Sequence, residues 1–376
     1  MIVTSKTLLK FNTVKDFFHS EVVFDDSKNY QLFFQGRDAL LSYVLNLNLK
    51  ENDTILVPAF FCNSTILPLI DRGINVDFFD ITNSLHPNIN EIIEISNEKS
   101  LAAIIVVHYF GIVRDLSEIS FFCSKNNIKL IEDFSHSYCS MVNVNLFGDV
   151  KISSLRKTFP VACGGILYRE KIRENSSAYL PKSCFFRDFL FICKNLIIKF
   201  LVLFNINIFG KWSNSLRNYL RVIFMKKKDY SKKSHFPTEK YSKLTSQIIE
   251  NKNLVSSKLE KSQENYQFLL NNIDIAGISF LNESSFDKYS APQVLPVIYH
   301  EAENMEQYLR SKGIEAYIWP GEEAPDIGIS DTNFPCTNFY NKNLLLLPCH
   351  EDLKIKHLNK IIYEMSQFSL KKNERK

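Results

Sequence analysis

Residues 151–165, KISSLRKTFPVACGG, set two adjacent cations, Arg156 and Lys157, between a β-type run and the pair Gly164–Gly165. A lysine in such a place has two uses: it is a solvated turn residue, or it is held as a nucleophilic amine that captures a carbonyl carbon. An amine does the second job best when desolvated beside another cation, because both effects favour its neutral form. Groups able to move protons or bind anions recur upstream in similar settings. His108 follows IIVV, Glu132 and Asp133 follow IKLI, and Ser153 and Ser154 follow VKI. Ligands of open parallel sheets bind beyond the carboxyl ends of the strands. Successive strand ends carrying ionisable or hydroxyl groups therefore predict one convergent pocket.

The elements that must position these groups read as alternating strands and helices. TILVP (54–58) is a short strand closed by Pro58, FFCNSTILPLIDRG a helix stopped by Gly73, and INVDFFDI the next strand. LAAIIVVHYFG (101–111) is a continuous β-branched run of the kind buried in parallel sheets. DLSEISFFCSKNN follows as a helix, IKLIEDFSHS as a strand with a polar end, and GDVKISSLRK and GGILYRE complete the half. Strand and helix alternating in steps of about thirty residues predict a parallel sheet with crossover helices. TEKYSKLTSQIIENKNLVSSKLEKSQENYQFLLNN then reads as a long exposed helix leading out of the first domain. The last third reads as an α+β unit: SAPQVLPVIY, AENMEQYLRSKG, IEAYIWP, NLLLLPCH and the terminal helix LKIKHLNKIIYEMSQF. The expected division is a large domain over 1–240 and a linker helix with a small domain over 241–376.

The stretch 184–233 stands apart. LFICKNLIIKFLVLFNINIF (190–209) is as long as a membrane-spanning helix. Lys194 and Lys199 interrupt it, and each costs about 2.5–3.5 kcal/mol at a bilayer centre. Two readings stand ahead of a span: a packed helix pair inside the protein or between subunits, and peripheral membrane contact through 185–233. In the second, lysines snorkel and the basic residues that follow meet anionic lipid. The 376 residues suit a large α/β domain with a smaller companion. A net charge of +4, from 45 basic against 41 acidic residues, is too balanced to argue for nucleic acid. The eight cysteines are scattered, with no C-x-x-C pair and no metal-ligand spacing. Such thiols suit a reducing cytoplasm rather than a disulfide scaffold. MIVTSKTLLKFNTVKDFF lacks the apolar core and cleavage site of a secretory signal, so a cytoplasmic protein is expected.

GRDALLSYVL, ILVPAFFCNSTILPLIDRGINVDFFDI, AAIIVVHYFG, IEDFSHS and SLRKTFPVACGG follow one another at the spacing of the DegT/DnrJ/EryC1/StrS family. These are pyridoxal-phosphate (PLP) dependent sugar aminotransferases of fold type I. GIEAYIWP and LLLLPCHEDL resemble the family's small domain, and the likeness covers roughly 30–180 and 290–365. The resemblance implies an α/β fold, with a large, mostly parallel-sheet domain and a smaller C-terminal α+β domain. It also implies pyridoxal 5'-phosphate as cofactor, a homodimer, a nucleotide-linked keto sugar as substrate, and an amino-acid donor such as glutamate. The setting would be surface-polysaccharide or glycoconjugate synthesis.

On this resemblance Lys157 matches the lysine that holds the cofactor aldehyde and shuttles protons, and Asp133 the carboxylate at the pyridine nitrogen. His136 matches a position near the cofactor ring where relatives carry Gln or His. Gly36, Arg37 and Asp38 match the phosphate turn, although Arg37 stands where relatives have a small hydroxyl residue. Asp38 either faces the phosphate or caps its helix and faces away. Ser154, ahead of Ser153, is the expected phosphate hydroxyl. Phe61 is the expected stacking ring, with Phe60 beside it, and an ungapped alignment puts Cys62 there; either Phe is otherwise core. His108 and Tyr109 read first as structural, and His350 borders the substrate pocket or caps the next helix. No partner-subunit asparagine is evident around 235–245. A dehydratase is the lesser reading because Lys157 is retained. A silent sugar-binding or regulatory subunit is the other, on the strength of the altered GRDAL turn.

Overall fold

The structure, a computed structural model, describes residues 1–10, 29–169, 182–183, 185–207, 240–281, 287–321 and 333–373. The basic cluster expected to meet lipid lies outside the described residues, as do residues 235–239 of the segment in which a partner-subunit asparagine was sought.

The first sheet has seven strands: β1 (Tyr30–Phe33), β2 (Asp53–Pro58), β3 (Asn75–Phe79), β4 (Ser100–Val107), β5 (Lys129–Asp133), β6 (Val150–Ser154) and β7 (Gly165–Tyr168). Their spatial order is β1-β7-β6-β5-β4-β2-β3. The neighbours from β6 through β3 are parallel, and β7 runs antiparallel to both β6 and β1. The central strands are apolar throughout because both faces are covered. In β2 and β4, Ile55, Val57, Ala103 and Ile105 feed one core, while Leu56, Ile104 and Val106 feed another on the opposite face with Ile92 and Ile119. Side chains alternate across a strand, so two cores require a continuous apolar run.

A two-stranded parallel pair joins β8 (Lys182–Ser183) to β9 (Lys240–Tyr241). The second sheet is antiparallel: β10 (Ser279–Phe280), β11 (Val294–Ile298), β12 (Tyr317–Ile318) and β13 (Leu344–Pro348), ordered β10-β11-β13-β12. Here too the alternation settles the packing. Leu344 and Leu346 join the core of the first sheet, while Leu345 and Leu347 face Met305, Leu309, Leu358 and Ile361 from the covering helices. The fold is thus α/β with a smaller α+β unit, as expected.

Three features differ from a plain reading of the sequence. The segment after 240 is two helices, Lys243–Glu250 and Lys252–Asn272, parted at Asn251, whose side chain accepts from the Leu254 N–H at 2.9 Å. It is not exposed: Leu244, Ile248, Val255, Tyr266 and Leu269 are buried, and buried Lys258 is ion-paired to Glu351. The apolar segment begins as helix Phe185–Leu203. One face packs inward, with Ile192 in a core cluster, Asp188 bonded to Ser242 Oγ, and Lys199 donating to the Leu9 carbonyl at 3.2 Å. Phe186, Phe200, Leu203 and Phe204 are exposed. Among the described residues no helix is long and apolar enough to cross a membrane. Lastly, residues 1–10 lie along the second sheet, where Val3 bridges Ile314 in parallel.

Two close contacts join the sheets. Gly111 has φ +86°, and a Cβ there would stand 2.4 Å from the Ala291 carbonyl oxygen, so only glycine lets the two chains meet. Buried Asp80, just after β3, caps helix Pro335–Asn343 from across the interface. Its Oδ2 accepts from Cys336 N at 2.8 Å, and its Oδ1 from Thr337 N at 2.9 Å and Thr337 Oγ1 at 2.6 Å. That helix has no capping side chain of its own. Asp80→Ala leaves its first-turn N–H groups without their acceptor, and is expected to cost about 2–3 kcal/mol. A urea titration of the variant beside the wild type measures the loss.

Candidate active site

The carboxyl ends of β4, β5 and β6 are in register, with Val107 opposite Asp133 and Asp133 opposite Ile152. The segments that follow them therefore emerge along one edge, as the strand-end residues imply. β7 brings a helix to the same edge. A Cβ on Gly165 would stand 2.1 Å from the Gln35 carbonyl oxygen, so the second glycine of the Gly-Gly pair lets β7 pass against the turn entering helix Gly36–Leu45. A Cβ on Gly36 would in turn lie 3.2 Å from Ser154 Cβ, 3.2 Å from the Ser153 carbonyl and 3.4 Å from Ser135 Oγ. Gly36, Ser135 and Ser154 thus converge at a helix N-terminus, where free N–H groups favour an anion. The Ser135 side chain bonds the Asp133 carboxyl. Asp38 takes the capping role: its Oδ2 accepts from Gln35 N at 3.1 Å. The Arg37 guanidinium reaches the next helix, where Nη1 donates to the Ser64 carbonyl at 3.2 Å.

Asp133 ends β5, buried. Its Oδ1 accepts from Ser135 N at 2.6 Å, and the Ser135 side chain also bonds the carboxyl. Burial pushes this acid up from the usual carboxylate range, against the opposing pull of the Lys157 charge and the Ser135 hydrogen bond. Lys157 lies in the short helix Leu155–Thr158, directly after β6. It is half-buried, and its amine has no hydrogen bond or ion pair among the described residues.

His136 completes this group. Its Nδ1 accepts the Phe110 N–H at 3.0 Å, so the neutral ring carries its proton on Nε2. Burial, and then the charges of Lys157 and Lys6, hold this imidazole well below its ordinary pKa. The Phe110 ring lies nearly parallel to it, with centroids 5.5 Å apart at 6°, and Trp319 meets it edge-on at 4.9 Å. Phe110 holds this place with φ at +59°, a left-handed conformation that costs a bulky residue energy and recurs at functional sites.

His108 is a brace, as its first reading has it. Its Nδ1 accepts from Arg114 N at 3.0 Å, its Nε2 lies 3.2 Å from Glu132 Oε2, and its ring stacks on Phe134 at 3.9 Å. Tyr109 donates to the Phe60 carbonyl at 2.7 Å. Phe60 and Phe61 both belong to the main core and Cys62 is buried at the start of helix Asn63–Ile70, so the structure favours the core alternative over a stacking role for Phe61. His350 points its Nε2 to the Thr4 carbonyl at 2.9 Å, and burial beside Lys258 holds it down at about 4. It pins the N-terminal segment. Two residues of the cluster were not singled out from sequence. Ser135 was legible, two places beyond Asp133 on the same strand end. Trp319 lay inside GIEAYIWP with nothing local to place it against His136.

Pyridoxal phosphate fits this set. The Gly36 turn with Ser154 suits its phosphate, the buried Asp133 carboxyl its ring N–H, His136 its ring, and Lys157, without a partner among the described residues, its aldehyde.

Comparison with known proteins agrees. Residues 26–167 match the DegT/DnrJ/EryC1/StrS aminotransferase family. A curated relative, the UDP-N-acetyl-3-dehydro-alpha-D-glucosamine 3-aminotransferase of Acidithiobacillus ferrooxidans, is 27% identical over 118 residues, 31% of this chain and 32% of that one. The match thus spans about a third of that relative. An aminotransferase of Helicobacter pylori involved in pseudoaminic acid biosynthesis shares the fold at TM-score 0.68 and 16% identity, over 99% of this chain and 100% of that one. A DegT/DnrJ/EryC1/StrS aminotransferase of Brucella abortus does so at TM-score 0.64 and 15% identity, over 90% and 86%. Over residues 26–167 this chain is thus similar to the DegT/DnrJ/EryC1/StrS aminotransferase family, and it shares the fold of solved aminotransferases over nearly its whole length.

Proposed function

We propose that this protein is a PLP-dependent aminotransferase that converts a keto group of a nucleotide-linked sugar to an amine, with glutamate as donor. The observation that carries the reading is that Lys157, whose amine has no hydrogen bond or ion pair among the described residues, acts by its charge on the buried Asp133 carboxyl, with Gly36, Ser135 and Ser154 converging at the same strand ends. The sugar ketone is supported by the curated relative, whose name specifies a 3-dehydro sugar carried on UDP. The reading also includes a cytoplasmic homodimer working in polysaccharide or glycoconjugate synthesis. Peripheral membrane contact through 185–233 is part of it, supported by the exposed Phe186, Phe200, Leu203 and Phe204.

The cofactor supplies an aldehyde carbon that exchanges amines and a ring that takes up an electron pair. The protein's residues do the rest. Lys157 Nζ would hold the cofactor aldehyde and, once displaced by the donor amine, would be the free base that accepts a proton from the donor Cα. Asp133 would accept the hydrogen bond of the protonated ring nitrogen, whose charge would offset the cost of keeping the buried carboxylate ionised. His136 would offer its Nε2–H as a neutral donor. The backbone N–H groups at the N-terminus of helix Gly36–Leu45 would hold the phosphate, a role that does not need a small hydroxyl residue at Arg37.

Borohydride reduction followed by peptide mapping tests the assignment: the wild type fixes cofactor on Lys157, and Lys157→Ala fixes none. A retained lysine adduct in Lys157→Ala would refute the role of Lys157, and absence of any adduct in the wild type would refute the function. Gly36→Ala tests the cradle. The added methyl crowds Ser154 and the Ser153 carbonyl, and PLP affinity is expected to fall about tenfold while that of unphosphorylated pyridoxal is unchanged. Absorbance titrations with both compounds measure this.

A further inference from the structure

Trp319 belongs by sequence to the second sheet and by contact to the first. It directly follows β12, whose pairing with β13 sets Tyr317 opposite Leu346 and Ile318 opposite Leu345. Its indole packs against the core of the first sheet. There it meets Phe60 with ring centroids 4.8 Å apart at 86°, Phe110 at 5.7 Å and 88°, and Tyr109 at 5.8 Å and 68°. These three rings are buried, whereas Trp319 is half-buried, as are Ser135, His136 and Lys157. The indole is thus held from within and reaches the open edge at which the candidate site lies. The ring it meets at that edge is His136, 4.9 Å away at 83°. These separations are those of favourable edge-to-face pairs.

His136 needs such a neighbour. The torsion that turns an imidazole about its Cβ–Cγ bond is broad and roughly two-fold, so a single hydrogen bond holds the ring loosely. Among the described residues the Phe110 N–H, 3.0 Å from Nδ1, is the one group hydrogen-bonded to it. Were the ring to turn over, a carbon would face that N–H and the Nε2 proton would point elsewhere. The Phe110 ring runs parallel to the imidazole and the indole stands across it, so the ring is bounded from two directions. Resting on the proposed aminotransferase reading, we infer that Trp319 is a positioning residue, which keeps His136 in the one orientation that accepts from Phe110 and presents the Nε2–H to the cofactor. The contact makes the second sheet part of the cofactor site, since a residue following β12 fixes one following β5.

A double-mutant cycle between Trp319 and His136 tests this, with PLP affinity read by absorbance titration. Trp319→Leu keeps an apolar side chain between the sheets but removes the aromatic edge. It is expected to weaken PLP about fivefold in the wild-type background and to change nothing in His136→Ala. Trp319→Phe restores an edge and most of the affinity. An equal loss from Trp319→Leu in both backgrounds means that the indole only fills the interface, and overturns the inference. Nitrogen NMR of the cofactor-free protein at about pH 8 reads the ring directly, with the His136 signals assigned by their loss in His136→Ala. One protonated and one bare nitrogen are expected in the wild type and Trp319→Phe, and two averaged nitrogens in Trp319→Leu; signals unchanged in Trp319→Leu overturn the inference as well. A wild type that binds no PLP overturns the aminotransferase reading instead, and the nitrogen signals then still decide whether Trp319 fixes the ring.

Discussion

A carboxylate buried at the end of a parallel strand is costly to keep charged, and the candidate site is organised around that cost at Asp133. Ser135 bonds its carboxyl through both its N–H and its side chain, and burial drives its acid upward. The Lys157 charge offsets part of this. A further cation against the carboxylate would offset more, and this is what a protonated pyridine nitrogen would offer. The same burial that makes Asp133 unfavourable alone makes it selective for such a partner.

Asp133 holds its place because its neighbours are fixed by bonds that leave nothing to adjust. Glu132, the preceding residue, points to the other face of β5, where its Oε1 accepts from Phe147 N at 2.7 Å and Gly148 N at 2.8 Å. Its Oε2 meets His108, whose other nitrogen accepts from Arg114. One strand end therefore carries two carboxylates in succession, Glu132 bonded on one face and Asp133 turned to the other. Phe110 extends this to His136. Its left-handed backbone places an N–H on Nδ1 and so decides which ring nitrogen remains a donor. Strain in the backbone is here converted into a fixed tautomer.

How much of this was legible follows from the range of each signal. β2 and β4 were readable because two cores demand unbroken apolar runs, and Lys157 and Asp133 because ordered motifs surround them. Roles set by distant contacts were not. The helix Lys252–Asn272 reads as exposed because Lys258 and Asn265 are polar, yet Lys258 is paired to Glu351 and Asn265 donates to the His350 carbonyl at 2.9 Å. Each partner is some ninety residues away, beyond any periodicity in the helix itself. Phe61 shows the converse: an aromatic beside a strand end suits either a cofactor face or a core, and only the packed neighbours decide.

The segment outside the family resemblance has a structural connection to the site. Helix Phe185–Leu203 supports the N-terminal span at both ends: Ile198, Leu201 and Val202 pack on Ile2, and Lys199 holds the Leu9 carbonyl. Between these supports lies Lys6, which feels the charges of Arg156, Glu315, Lys157 and Lys194. Lys194 and Lys199, which argue against a membrane span, thus sit where the helix faces protein, one adding to the field on Lys6 and the other tying down the backbone beyond it. An insertion whose apolar length resembles a membrane element thus serves on this face as a support of the N-terminal span.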